Sequence, residues 1–504
     1  MELIRRIPEG YRLPGFIDAH VHIESSHLSP AEFGRLLVRH GTIAAICDPH
    51  EIVNVMGEQG LAFMLDNAAA SPADLYFGLP SSVPATPFET SGASLSANDT
   101  ARLFDRYPQL IALAEVMNVP GVLVGEDEVM AKLAAAKARG KRIDGHFPEG
   151  RDEAVRRYAA AGITSDHESA SADEARGKVA AGMDVFIREG SAAKNLMDVL
   201  PAVDDTNWEH FAFCADDISA ADLLAHGDIL PSIRKAVKFG LPPERAVAMA
   251  TINPARHYGL ALKDDDYVVV KDLVDFELLR VVKDGKVVFD AANPKSEDAS
   301  AGAVQTQNTV HLPDLARFSF PMPPAGATTL AAIGVTPGQL VTRQEKHDLA
   351  AASTLARLAV IERHGKNGNI GYAYASGTGL VRGAIATTIA HDSHNLIVLG
   401  AEDADMRLAT ARLAEIGGGA CVACGGEVVA ELPLPIGGLM SPQSAAEVAA
   451  RDARLREAAK VTGCTLPEPL GTLSFLALPV IPHLKLTDRG LFDGDRFAFV
   501  PLYA

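Results

Sequence analysis

The chain is short of cysteine, of positive charge and of long apolar runs, and each shortage closes off a class of protein. Its 504 residues hold five cysteines, Cys47, Cys214, Cys421, Cys424 and Cys464. An odd, sparse set of this kind does not build a disulfide scaffold and fits a reduced, cytoplasmic setting. Lys and Arg number 46 against 64 Asp and Glu, a formal net charge of −18. No basic run offsets this balance, which argues against nucleic acid and anionic membranes as partners. No stretch reaches about 18 apolar residues, which argues against a membrane span. Met1–Tyr11 has no apolar segment behind its arginines and is not expected to act as a signal peptide. What is present is an ordinary globular composition, 48% hydrophobic, over a length that allows a barrel-sized domain and at least one more.

The first half alternates two patterns. Short apolar, β-branched runs occur at Phe16–Val21, Thr42–Cys47, Asp74–Leu79, Leu110–Val116, Arg142–His146, Ile163–Asp166, Asp184–Ile187 and Phe211–Cys214, eight in all. Helical spacing fills most of the gaps, at Ala31–His40, Glu126–Arg139, Asp152–Ala161 and Ala172–Ala181, with Gly41, Gly140, Gly162 and Gly182 as stops. Eight strand–helix repeats predict a (β/α)8 barrel of the α/β class. The rival, a doubly wound sheet, usually carries a Gly-rich phosphate loop after its first strand, and this chain has none there. A helix is expected around Pro242–Ala250, then strands at Tyr267–Val270 and Val281–Val288 forming a small, partial β-sandwich unit. Ala291–Gln307 reads as a linker and Pro321–Gly326 as a second break. A separate C-terminal α+β domain follows, with strands at Gly383–Ile389 and Leu396–Leu399 and helices at Asp405–Ile416 and Ser444–Val461. The expected division is 1–260, 261–310 and 311–504.

His20 and His22 share one face of the first strand, because side chains two apart on a strand point the same way. Both would project at the C-terminal end of that strand, where barrels place their sites. One His-x-His is weak evidence. It gains force because Glu115, His146, His167 and Asp216 also end predicted barrel strands, the fourth, fifth, sixth and eighth. Imidazoles and carboxylates without thiolates suit Mn²⁺, Fe²⁺ or Zn²⁺. In the loop after the second strand, Asp48, His50 and Glu51 open onto the same face. They are candidates for proton transfer and substrate contact, or simply for a capped Asp-Pro turn. Arg188 and Glu189 end the seventh strand and are candidate substrate-binding residues, or a surface ion pair.

Pro14-Gly-Phe-Ile-Asp-Ala-His-Val-His22 resembles the opening strand of the amidohydrolase superfamily. The longer strings His20-Val-His-Ile-Glu-Ser-Ser26 and Cys47-Asp-Pro-His-Glu-Ile-Val-Asn54 resemble bacterial adenine deaminases. So do Ser165-Asp-His-Glu168, Arg188-Glu-Gly-Ser-Ala-Ala-Lys-Asn195, Thr251-Ile-Asn-Pro-Ala255, Ala390-His-Asp-Ser-His-Asn395, Leu432-Pro-Leu-Pro-Ile-Gly-Gly-Leu-Met-Ser441 and Leu473-Ser-Phe475. The resemblance implies hydrolysis of adenine to hypoxanthine and ammonia by a hydroxide shared between two metal ions. It implies His20, His22 and Asp216 on one ion, His146 and His167 on the other, and Glu115 bridging both. The family leans towards manganese or iron, with zinc possible. Asp216 would relay the hydroxide's proton to the leaving amine, and Glu51, ahead of His50 and Asp48, would serve ring nitrogen N1. The expected partner is a small purine base, and self-association into a homo-oligomer is expected.

Some features point elsewhere. Asp217 could replace Asp216 by a one-residue shift. His22-Ile-Glu24 and Cys421-Val-Ala-Cys424 mimic halves of a zinc nucleobase-deaminase signature, but they lie in different predicted domains and Ala420 stands where that signature has Pro. His391, Asp392 and His394 form a second cluster, read as a structural turn, a loop reaching the barrel mouth, or an extra metal site. The strand with His20 starts unusually early for the family, so the strands from Tyr267 to Val288 are expected to lack partners. That shortening leaves open a decayed regulatory homologue. Within enzymes, an N6-methylated adenine or a cyclic amide remain alternative substrates.

Overall fold

In the computed structural model, residues 3–191, 193–293 and 306–504 are described. Most of the expected linker Ala291–Gln307 therefore lies outside them. The chain opens with a hairpin, β1 (Arg5–Ile7) and β2 (Gly10–Pro14). The barrel strands follow as β3 (Phe16–His22), β4 (Thr42–Cys47), β5 (Asp74–Leu79), β6 (Ala112–Val116), β7 (Arg142–Gly145), β8 (Ser165–Asp166), β9 (Asp184–Arg188) and β10 (Phe211–Cys214). A two-residue extension, β11 (Asp216–Asp217), pairs in parallel with Val21 and His22 of β3 and returns the sheet to its start. On the far side, the seam between β7 and β8 is held by Thr164 N–H donating to Ile143 O at 2.9 Å. Each expected barrel strand is present to within a residue or two.

These strands are apolar along their length because parallel barrel strands are covered on both faces. All six residues of β4 and all seven of β3 are buried, including His20 and His22. The crossover helices Pro30–Arg39, Asp127–Lys137, Asp152–Ala160 and Ala172–Ala180 sit where the spacing put them. Gly41 turns the chain from the first helix into β4 with φ +93°, and a Cβ there would lie 3.0 Å from the Phe16 ring. Among the described residues no helix is long and apolar enough to cross a membrane, and all five cysteines are free.

One buried ion pair ties helix to strand just behind the barrel mouth. Lys178 has a fully buried side chain, with Nζ 2.6 Å from Asp166 Oδ2, 2.9 Å from Glu174 Oε1 and 2.7 Å from Phe147 O. Lys178→Met keeps the volume and leaves two buried carboxylates, Asp166 and Glu174, uncompensated. It is expected to cost about 3–5 kcal/mol, seen as a lower urea midpoint; an unchanged midpoint would show the pair to be neutral.

Two expectations need correction. The strands after the barrel do not lack partners. β12 (Tyr267–Val270) pairs antiparallel with β2, from Tyr267 opposite Pro14 to Val270 opposite Tyr11. The run read as one strand, Val281–Val288, is a hairpin of β13 (Leu278–Lys283) and β14 (Lys286–Asp290). Asp284 and Gly285 both have positive φ, +49° and +71°, as a two-residue type I′ turn requires. The result is a five-stranded sheet, β1-β2-β12-β13-β14.

The C-terminal domain is built on an eight-stranded sheet. Its strands are β15 (Thr329–Gly334), β16 (Arg343–Asp348), β17 (Ala356–Ile361), β18 (Ile370–Ser376), β19 (Ala384–Thr387), β20 (Leu396–Gly400), β21 (Gly419–Cys424) and β22 (Glu427–Pro433), in the order β16-β15-β18-β17-β20-β19-β21-β22. Helices Asp403–Glu415 and Ala445–Val461 pack on it, the second opened by a Ser444–Glu447 capping box. This domain is docked on the barrel: Ser441 N–H donates to His27 O at 2.8 Å, Ala445 N–H to Glu32 Oε1 at 2.9 Å, and Thr90 N–H and Oγ1 to the Asp488 carboxylate at 2.8 and 2.7 Å.

Candidate metal centre

The strand ends bring the six expected ligands together. Glu115, on β6, is the hub. Its Oε2 lies 2.9 Å from His146 Nδ1, 3.1 Å from His167 Nε2 and 3.9 Å from His20 Nε2, and its Oε1 lies 3.7 Å from His22 Nε2. Asp216 Oδ1 lies 3.2 Å from His22 Nε2 and 3.4 Å from His20 Nε2, which are themselves 3.2 Å apart. His20 and His167 stack at 4.0 Å between ring centroids. Asp216, rather than Asp217, faces the histidine pair. It does so from the left-handed backbone region, φ +59°, a strained setting typical of functional sites. The Asp217 carboxylate accepts from Ser25 Oγ at 2.5 Å and lies at the edge of the same cluster, grouped with His22 and Asp216.

This donor set fits divalent ions. The ring nitrogens and carboxylate oxygens converge, and only His146 with Glu115 and His20 with His22 meet in hydrogen-bond geometry. His167 Nε2 and His50 Nδ1 are buried without hydrogen-bond geometry to any partner, despite standing 3.1 and 3.3 Å from Glu115 oxygens. The tautomer of His22 is set for coordination: its Nδ1–H donates to Asp48 O at 3.1 Å, which leaves the Nε2 lone pair facing inward. Burial opposes charge on Glu115, yet His146 and His167 hold it well below the ordinary carboxylate range. Arg188 braces Asp216, with Nη1 3.0 Å from Oδ2, and also pairs with Glu168.

The loop after β4 closes one wall. Asp48 Oδ1 accepts from His50 N–H at 3.0 Å, and Asp48 Oδ2 is 3.4 Å from His50 Nδ1. Burial works against a charged His50, but the Asp48 carboxylate keeps its pKa up at about 10. Glu51, 2% exposed, opens the helix His50–Met56. Burial, reinforced by the Glu24 carboxylate, lifts Glu51 well above the ordinary range. Glu189 is not brought into this cluster; its carboxylate meets Lys235 Nζ at 2.5 Å. Sequence reasoning missed Glu168, whose Oε1 lies 3.5 Å from His167 Nε2 and 3.7 Å from His146 Nδ1. Its place directly after His167 was the available signal. Cys421 and Cys424 lie in β21, and among the described residues no metal-capable cluster contains a cysteine.

Comparison with known proteins agrees with this architecture. Residues 11–288 match the amidohydrolase family, and residues 336–498 match the adenine deaminase C-terminal domain. The chain is 45% identical to an adenine deaminase of Nitratidesulfovibrio vulgaris and 41% identical to one of Desulfatibacillum aliphaticivorans, in each case over 97% of this chain and 88% of the relative. The chain belongs to the adenine deaminase family. An adenine deaminase of Cereibacter sphaeroides is 43% identical over the same shares. The adenine deaminase C-terminal match begins inside the β15–β16 connection and takes in the loop with His391 and His394.

Proposed function

We propose that the chain deaminates adenine hydrolytically to hypoxanthine and ammonia at the barrel mouth. The observation that carries this reading is the convergence of His20, His22, Glu115, His146, His167 and Asp216 in overlapping clusters at the barrel strand ends of an adenine deaminase family member. His20, His22 and Asp216 would hold one divalent ion and His146 and His167 the other, with Glu115 between them; manganese and iron are the favoured metals, zinc the next. Such a pair lowers the pKa of the attacking water.

The chain's own groups then manage the protons. Asp216 takes one proton from the water as its oxygen bonds to C6. Glu51, in its acid form, gives its proton to N1, so that negative charge does not build up on the ring. Asp216 returns its proton to the exocyclic nitrogen as the C6–N bond breaks, and ammonia leaves. The remaining hydroxyl proton is lost as the C6 carbonyl forms, and Glu51 is reprotonated. His50 and Asp48 flank Glu51 and the purine edge, and Arg188 keeps Asp216 aimed.

The test is an ultraviolet assay of adenine conversion on protein stripped of metal and reloaded with Mn²⁺ or Fe²⁺. Stripping is expected to abolish turnover, and about two ions per chain to restore it. Protein carrying a full metal complement and no conversion would sink the reading. Fewer than about one tightly bound ion per chain would favour a decayed site.

A further inference from the structure

Glu51 is contacted from the barrel by Ser25, with Oγ 3.5 Å from Oε1. Its ion-pair contacts come from the C-terminal domain. The loop joining β19 to β20 brings His391 Nδ1 to 3.6 Å from Glu51 Oε1 and His394 Nε2 to 3.7 Å from Glu51 Oε2. Three such groups invite a third metal site, but the tautomer of His394 argues against it. Ala390 N–H donates to His394 Nδ1 at 3.3 Å. Nδ1 is therefore bare, the proton sits on Nε2, and that nitrogen has no lone pair to offer an ion. His22 has the opposite arrangement, with Nδ1 donating and Nε2 free.

From this juxtaposition we infer that His394, supported by His391, is a positioning residue through which the C-terminal domain aims the Glu51 carboxyl at the purine. The inference rests on the assignment of Glu51 as the proton donor to N1. His394 Nε2–H faces Glu51 Oε2 and has no hydrogen-bond partner among the described residues. Catalytic hydrogen bonds with gaps of this size commonly tighten in the substrate complex. His394 suits a donor that stays neutral: burial, His391 and Arg363 hold its pKa well below the ordinary value. The loop is built to hold still. The fully buried Arg363 binds His394 O through Nε, Thr309 Oγ1 at 2.9 Å and Gly437 O at 3.0 Å. His364 Nε2–H donates to Ser393 O at 2.9 Å, and Asn395 Nδ2 reaches across to Thr90 O at 2.8 Å. The His391 ring stacks on Phe475 at 4.6 Å. When Glu51 gives up its proton, Nε2–H of His394 donates to the carboxylate left behind, and no covalent bond changes at His394.

A double-mutant cycle on the metal-loaded full chain tests this. His394→Phe is expected to lower kcat about 10- to 100-fold, the range of a lost hydrogen bond to a charged group, with KM and metal content unchanged. His394→Gln, which keeps an N–H, is expected to recover most of the loss. In a Glu51→Gln background, His394→Phe is expected to have no further effect. Losses that multiply independently, or that follow loss of bound metal, would overturn the proposal. If Glu51→Gln alone leaves turnover intact, the assignment of Glu51 fails, and this inference with it. If Glu51→Gln is impaired and His394→Phe is not, the inference alone fails. The tautomer is read separately by nitrogen-15 histidine NMR on the unmodified, zinc-loaded protein, so a variant that fails to fold does not leave the matter open; a bare Nε2 on His394 overturns it.

Discussion

Glu115→Gln is expected to leave a folded chain that holds less than half of its metal and turns adenine over about 10³-fold more slowly. The reason lies in the hub geometry. One carboxylate stands within 3.9 Å of ring nitrogens from His20, His22, His146 and His167. Its charge is what lets four imidazoles and any cation share a buried space, and among the described residues no second carboxylate pairs with all four. Glutamine keeps the volume, so the core of β6 need not collapse. It removes the charge, however, and turns an N–H₂ towards nitrogens whose lone pairs should face inward. Metal content by emission spectroscopy and turnover at saturating Mn²⁺ are the paired measurements. A variant that keeps about two ions per chain and nearly normal turnover would move the bridging role elsewhere. Glu168, 3.5 Å from His167, would be the next candidate.

Much of this was legible because the barrel makes function periodic. Each strand ends at the mouth, so a His, Asp or Glu at the end of an apolar run has a predictable address. That is why Glu115, more than ninety positions from His20 in sequence, could be placed beside it. Partnerships between distant segments were not legible in the same way. The hairpin at Arg5–Pro14 has few apolar residues to mark it, and its role is set by β12, whose register places Leu13 opposite Val268. A short polar stretch therefore read as a gap where the structure has two strands. The turn at Asp284-Gly285 was a missed signal, because an Asp-Gly pair inside a β-branched run marks a hairpin. The loop at Ala390–Asn395 was harder. Its histidines resembled a metal cluster by composition, and only the hydrogen bond from Ala390 N–H to His394 Nδ1 distinguishes a donor from a ligand. Glu189 shows the opposite failure, since nothing local foretold Lys235 on the helix Ile229–Lys238.

Glu51→Gln is expected to cut turnover about 10²- to 10⁴-fold, the span of a lost general acid, while bound metal stays unchanged. None of the six convergent ligands is within two positions of Glu51 in sequence, and its hydrogen-bond and ion-pair contacts are Ser25, His391 and His394. The metal should therefore not register the change. Glutamine can still hydrogen-bond N1, so KM should move little; it cannot release a proton, so kcat carries the loss. The pH profile supplies the sign. Glu51 titrates well above the ordinary range because it is buried and faces Glu24, with Asp217 adding to the effect and His50 and His22 opposing it. Its acid form is the working form, so wild-type kcat/KM should hold below that raised pKa and fall as pH rises through it. In Glu51→Gln the alkaline limb should vanish and leave a flat residual rate. Turnover within about threefold of wild type, or an unchanged alkaline limb, would remove Glu51 from the acid role and leave His50, which the Asp48 carboxylate keeps protonated up to about pH 10, as the group to test at N1.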